Sequence, residues 1–375
     1  MKAHELNTPV YLVDEEKLIH NLTILKDLQD RAGCKVLLAQ KAFSMYSVYP
    51  LIAKYLTGAT ASGLYEARLA YEEMGLENHV FEPAFGEDEM EELCKICDHI
   101  VFNSINQLEK HRPIWQSSNI SVGLRVNPEC STQEDHEIYD PCSKGSRLGI
   151  RRCNMPDHLP EGVEGIHMHT LCEQGAEPLL LTVKALEDQF SDLLYEAKWL
   201  NLGGGHHITR EGYNIELLCQ IIDHLKTTYD LEIYLEPGEA IALDAGYLYT
   251  KVMDIVDSEL PVLILDTSAA CHMPDVLEMP YRPPLRDGDE AGKKRYTYRL
   301  SSRTCLAGDV IGDYSFDEEI HIGDTLIFED MAIYSMVKNN TFNGMPLPSI
   351  ALMHVGGDCQ IIKEFGYEDF KCRLS

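Results

Sequence analysis

An α/β barrel of eight parallel strands alternating with helices, followed by an all-β second domain, is the architecture this sequence predicts. Three observations carry it. From Glu15 to about Pro237, short β-branched runs alternate with helical patterns, the signature of repeated βα units. Eight such runs fit into about 200 residues, which favours closure into a barrel over an open doubly wound sheet. After Pro237 convincing helical patterns become rare, and strand-like segments broken by Gly, Pro and Asp take over.

The first run, TPVYLVD, precedes the first helix and has no place among the eight. Residues 1–14 are therefore expected to pair with the C-terminal part. The helix that follows has Leu18, Leu22, Leu25 and Leu28 at three- and four-residue spacing, acids in its first turn and Gly33 beyond its end. The candidate barrel strands are KVLLAQ (35–40), ATAS (59–62), HVFEP (79–83), HIVFN (99–103), ISVGLRV (120–126), GVEGIHMH (162–169), KWLNL (198–202) and EIYLE (232–236). The barrel is thus expected over 15–240 and the β domain over 241–375, with strands in YLYTKVMDIVD, PVLILDTS, RYTYRLSS, DTLIFED and SIALMH. Pro274 to Lys294, rich in Pro, Asp and Gly, reads as a long surface loop.

Composition narrows the class. Hydrophobic residues at 45% and charged residues at 25% are globular proportions. The net charge of −29 would repel a phosphate backbone and attract a small polycation, so nucleic acid is not an expected partner. No apolar run approaches the roughly 18 residues of a membrane helix. The twelve cysteines are irregularly spaced and no apolar signal core is found near the N-terminus, so a cytoplasmic location is expected. Cys94 and Cys97 have CxxC spacing without a second pair, which reads as two helix thiols rather than a metal site.

In a barrel of this type the chemistry sits at the C-terminal ends of the strands. There the first strand ends at Lys41, the sixth at His169, the seventh runs into Gly203, Gly204 and Gly205, and the eighth ends at Glu236. Singly, each has an ordinary explanation: a strand-end lysine, a satisfied histidine, a flexible turn. Together they suit pyridoxal 5'-phosphate. A lysine amine can bond its aldehyde, glycine N–H groups can hold a phosphate, and a carboxylate can keep the pyridine nitrogen protonated. A zinc hydrolase using His167, His169, His206 and His207 is the alternative, but it leaves Lys41 and the glycines unexplained.

TPVYLVDEEKL, AQKAF, GVEGIHMHTLCE, LNLGGGHH, LEPGEAI, TCLAGDVIGDY and NNTFNG follow, in this order and across nearly the whole chain, the motifs of the fold-III pyridoxal-phosphate decarboxylases related to ornithine and diaminopimelate decarboxylase. In HTLCE, GGGHH, EPGEA and HMPD the chain resembles the branch acting on carboxynorspermidine and carboxyspermidine. The resemblance implies an alanine racemase-like barrel with a C-terminal β-sandwich-like domain, and a homodimer with shared sites. It implies that Lys41 holds the cofactor, His169 stacks on its ring, Gly203, Gly204 and Gly205 hold its phosphate, and Glu236 contacts its ring nitrogen. Tyr334 would reach the phosphate. Cys305 would return a proton to Cα from the partner subunit, with Asp309 in the same segment. Glu239 stands where many relatives carry Arg, and Leu306 where the diaminopimelate branch carries Glu. Glu239, Asp275 and Asp309 are accordingly expected to bind a small cationic amino acid. A non-catalytic pyridoxal-phosphate carrier would not need a β domain bearing TCLAGD.

Overall fold

The computed structural model describes residues 1–133 and 137–375, without the side chain of residue 137. The chain divides into two compact units, one of residues 21–241 and one of residues 1–20 with 242–375.

The first unit is a closed barrel. Its strands are β2 (Lys35–Ala39), β3 (Gly58–Ala61), β4 (Glu77–Glu82), β5 (His99–Phe102), β6 (Ser121–Asn127), β8 (Val163–His167), β9 (Trp199–Asn201) and β10 (Glu232–Leu235), while β1 (Val10–Asp14) belongs to the other unit. All eight pair in parallel, and the β2–β10 and β5–β6 ladders close the ring. The two-residue β7 (Ile150–Arg151) only pairs in parallel with the end of β6. Closure crowds the interior, and glycines make room for one large side chain. A Cβ on Gly165 would lie 1.9 Å from Trp199 Cε2, and one on Gly123 2.3 Å from Trp199 Cη2. Trp199 then packs with Leu37, Phe81, Val101 and Tyr234.

The helix Glu15–Ala32 begins on Asp14, whose Oδ1 accepts from the backbone N–H groups of Glu16 and Lys17 at 3.0 and 3.2 Å. It stops at Gly33, whose φ of +61° suits glycine. Lys226 Nζ caps the end by donating to the Ala32 and Gly33 carbonyls at 3.0 and 2.8 Å. The four leucines that mark its apolar stripe are fully buried.

The second unit is a nine-stranded, mostly antiparallel sheet of β1, β11 (Gly246–Val256), β12 (Val262–Leu265), β13 (Asp289–Glu290), β14 (Tyr296–Ser302), β15 (Val310–Phe316), β16 (Thr325–Glu329), β17 (Ser349–Met353) and β18 (Cys359–Lys363). β1 lies between β11, antiparallel, and β17, parallel. Its alternation sends Tyr11 into one apolar cluster and Val10 and Leu12 into another, so every residue of β1 is buried. The stretch 274–294 is more than a surface loop. It contains a helical turn, Asp275–Glu278, and sinks Val276 and Leu285 into the larger cluster. Tyr314 Oη donates to the Pro283 carbonyl at 2.7 Å and pins it. Two apolar anchors among prolines leave no periodicity to read.

Candidate active site

The barrel unit carries Lys41, His169, Gly203, Gly204, Gly205, Glu236 and Glu239, each at or just beyond the C-terminal end of a strand. The turn after β2 is locked by Gln40. Its Nε2 donates to the Glu66 carbonyl at 2.9 Å, and its Oε1 accepts from Tyr49 Oη at 3.0 Å. Lys41 next to it is open to solvent yet crowded by protein on its other sides. Desolvation, with the Arg125 guanidinium, pushes its ammonium below the ordinary lysine range. The neutral amine needed for attack on an aldehyde is thereby favoured.

Glu236 is the buried anion of the site. Its Oε1 accepts from Asn201 Nδ2 at 2.7 Å, and its Oε2 lies 3.1 Å from His167 Nε2. Burial raises its pKa, but His167, His79 and Asn201 lower it by more, so the group stays ionised. Burial drives His167 toward its neutral form, so its Nε2–H donates to Glu236. The His167 ring lies flat against Phe81, with centroids 5.6 Å apart, and Arg125 sits 4.6 Å over the same Phe81 ring. The Arg125 Nη2 donates to the His169 carbonyl at 3.2 Å.

The glycine run departs in part from its expected role. Gly203 N donates to Asn201 Oδ1 at 2.8 Å and Gly204 N to His169 Nδ1 at 2.9 Å, so these two N–H groups are already engaged. The N–H groups of Gly205 and His206 have no acceptor among the described residues. All three glycines are also required by close packing: a Cβ on Gly203, Gly204 or Gly205 would lie 2.6, 2.3 or 2.0 Å from the carbonyl oxygen of Met168, Glu236 or Leu171. A buried ionised carboxylate, a desolvated lysine and unengaged N–H groups on a backbone that no Cβ can fill are a donor set that fits pyridoxal phosphate. Glu239 is not free, since its Oε2 is held in a close contact by His207 Nε2.

The sheet unit carries Cys305, Asp309, Asp275 and Tyr334. Cys305 is exposed, and its N–H donates to Asn343 Oδ1 at 2.7 Å. Asp275 is partly buried and ion-paired with Lys338, which also holds Glu278 at 2.6 Å. Burial pushes the Asp275 carboxyl up, with Lys338 opposing. Tyr334 has a φ of +47°. Asp309 is 1% exposed and accepts from three hydroxyls and one backbone N–H, two of these donors on its own loop and two from residues 268 and 270.

At the opposite end of the barrel Glu77, His79 and His99 gather their ligand-type atoms within 4.8 Å beside a cleft of about 570 Å³. The two imidazoles are stacked at 4.0 Å and 7°, so one ion cannot lie in both ring planes. Lys35 Nζ, 3.0 Å from Glu77 Oε2, already neutralises the acid. The group reads as a polar plug. Cys97 is buried and Cys94 partly so, at the end of the helix Met90–Ile96.

Sequence reasoning missed Arg125, Asn201 and Lys338, and weighed His207 only as a metal ligand rather than as the partner of Glu239. The one visible signal was Arg125, a lone charge inside an otherwise apolar strand.

Comparison with known proteins adds independent findings. The family model described as "Pyridoxal-dependent decarboxylase, C-terminal sheet domain" matches residues 138–332. The chain is 40% identical to a carboxynorspermidine/carboxyspermidine decarboxylase of Campylobacter jejuni, with both chains covered in full. It is also 40% identical to a carboxyaminopropylagmatine decarboxylase of Synechocystis, covering all of this chain and 97% of the relative. The crystal structure of carboxynorspermidine decarboxylase complexed with norspermidine from Campylobacter jejuni superposes with a TM-score of 0.92 at 39% identity, covering 98% of this chain and 100% of the other. A diaminopimelate decarboxylase structure from Helicobacter pylori, at 18% identity and a TM-score of 0.83 over 99% and 97% of the two chains, shares the fold.

Proposed function

Since this chain belongs to the pyridoxal-dependent decarboxylases, we propose that it converts carboxynorspermidine or carboxyspermidine into norspermidine or spermidine and CO2, as a step of polyamine biosynthesis. The observation that carries the substrate is the full-length likeness to relatives named for these acids, one of them solved with norspermidine. The equal identity to a carboxyaminopropylagmatine decarboxylase makes that longer, guanidinium-ended acid the second reading. All three share an α-amino acid head and a distal cation.

Pyridoxal phosphate supplies an electron sink for the pair left when the Cα–carboxylate bond breaks. In this reading Lys41 would hold the cofactor through its amine. Glu236, kept ionised by His167 and Asn201, would pair with the ring nitrogen, and His169 would pack on the ring. The N–H groups of Gly205 and His206 would bind the phosphate, with Tyr334 in the phosphate role the family resemblance gives it, and backbone contacts would stand in for the arginine that many relatives have at position 239. Asp275 and Glu278, with Glu239, read the distal ammonium. Cys305 of a second copy returns the proton to Cα, which makes the working unit a homodimer. No helix among the described residues is long and apolar enough to cross a membrane, which is compatible with a cytoplasmic site of action.

Borohydride reduction of the holoenzyme followed by peptide mapping should find the pyridoxyl label on Lys41. A label on Lys35, Lys54 or another lysine would overturn the site.

A further inference from the structure

The segment NNTFNG, residues 339–344, carries none of the groups assigned above, yet the structure lays it against Cys305. Arg303, Cys305, Leu306, Ala307 and Gly308 are exposed, and none joins an apolar cluster of the sheet unit. Polar contacts must therefore set the tip of this turn between β14 and β15. The buried Asp309 holds only the base of the turn, through the hydroxyls of Ser302 and Thr304. Two further bonds close the tip on itself, from Asp309 N to the Leu306 carbonyl and from Val310 N to the Gly308 carbonyl. Among the described residues, one hydrogen bond ties residues 305–308 to the sheet unit outside the turn: Cys305 N donates to Asn343 Oδ1 at 2.7 Å.

Asn343 can serve as an anchor because its own loop is fastened. Asn340 N and Nδ2 donate to the Cys271 and Ala270 carbonyls at 2.9 and 2.8 Å, and Asn340 Oδ1 accepts from Phe342 N at 3.0 Å. Thr341 Oγ1 accepts from Arg373 Nη1 at 2.8 Å. Thr341 and Met345, on either side of the turn Phe342–Gly344, are buried. At the centre of that turn Asn343 has φ +58° and ψ +16°, a left-handed conformation that asparagine tolerates better than most side chains. Position 343 thus meets two demands, a left-handed backbone and a side-chain acceptor for Cys305 N. Glycine satisfies only the first, and aspartate satisfies both.

We infer that Asn343 is a positioning residue for Cys305, fixing the backbone from which the thiol delivers its proton. The inference rests on the proton-return role given above to Cys305. Both residues belong to one chain and one unit, so they reach the second copy's site together. In the step concerned, the Cα–carboxylate bond breaks, CO2 leaves and the bonding pair stays behind. A proton from Cys305 Sγ closes that pair into the Cα–H bond of the amine, and the thiolate recovers a proton from water. A pair that misses this proton is protonated on the cofactor instead, and water then releases an aldehyde in place of the amine, leaving the cofactor in its amine form. The ratio of aldehyde to amine therefore reads the placement of Cys305 and is insensitive to how much enzyme is folded. One net hydrogen bond biases a local equilibrium by roughly 2- to 10-fold, which sets the size of the effect.

The experiment uses holoenzyme and carboxynorspermidine, with norspermidine and the trapped aldehyde quantified together. Cys305→Ala should raise the aldehyde-to-amine ratio most. Asn343→Gly keeps the left-handed backbone and removes only the acceptor, so the chain still folds and the ratio should rise about 2- to 10-fold over wild type. Asn343→Asp restores an acceptor oxygen and should bring the ratio back to within about twofold of wild type. A wild-type ratio in Asn343→Gly, with a raised ratio in Cys305→Ala, would overturn the inference and leave the proposed function intact. A ratio as high in Asn343→Asp as in Asn343→Gly would overturn it too, since the acceptor would then not be what places the turn. A wild-type ratio in Cys305→Ala would instead overturn the proton-return role itself, and the inference with it.

Discussion

Asn201 does two jobs at once. Its Nδ2 orients Glu236, and its Oδ1 takes the N–H of Gly203. Asn201→Leu would remove both and leave a buried N–H without an acceptor, at a cost of about 2–4 kcal/mol for the two interactions. The pH dependence follows from Glu236, whose folded-state pKa lies below the ordinary carboxylate range. Stability from such a depressed pKa is complete above the unfolded value of about 4.3, and is lost as pH falls toward the folded value. Losing Asn201 raises the folded value, so the pH window narrows from below and the acid-linked loss shrinks. Denaturant midpoints measured from pH 2.5 to 6 should show a flatter acid limb in Asn201→Leu than in wild type. An unchanged limb would mean that Asn201 does not stabilise the ionised acid. Lys338 teaches a related lesson, because its partners Asp275 and Glu278 lie about 60 residues back and no local pattern announces the pairing.

At the scale of elements, the turn after β9 separates two reasons for glycine. Gly205 and Gly212 both have positive φ, +79° and +81°, but a Cβ on Gly205 would meet the Leu171 carbonyl at 2.0 Å while one on Gly212 meets nothing within 4 Å. Gly212→Ala should therefore cost only the left-handed strain of about 1–2 kcal/mol, and Gly205→Ala a further ~1–3 kcal/mol of overpacking. Thermal denaturation of the two variants checks this, and equal losses would show that backbone conformation alone decides. The eight barrel strands were legible because each is a short β-branched run between helices, a local signal. The strand-end rule then placed Lys41, His169 and Glu236 just beyond β2, β8 and β10, where the structure has them. The sheet unit was legible as β, and β1 as pairing with it, but not its strand order, since nothing local marks β11 and β17 as the two neighbours of β1. The burial of Asp309 was not legible for the same kind of reason, since its partners include Ser268 and Ala270, about 40 residues back.

For the whole molecule, the central question is which copies and which substrate complete the reaction. If Cys305 serves a site on another copy, mixing Lys41→Ala with Cys305→Ala chains should restore activity, because one site of the hybrid dimer is intact. No recovery despite demonstrated subunit exchange would argue that each chain works alone. The net charge of −29 favours capture of polycations whichever long acid is preferred. The most direct measurement is a competition. Carboxynorspermidine, carboxyspermidine, carboxyaminopropylagmatine and meso-diaminopimelate are supplied together at equal concentration, and the products are resolved by chromatography. Norspermidine, spermidine or both should exceed the other products by about tenfold or more, a difference of roughly 1.4 kcal/mol in transition-state binding. Lysine or aminopropylagmatine as the main product would contradict the account.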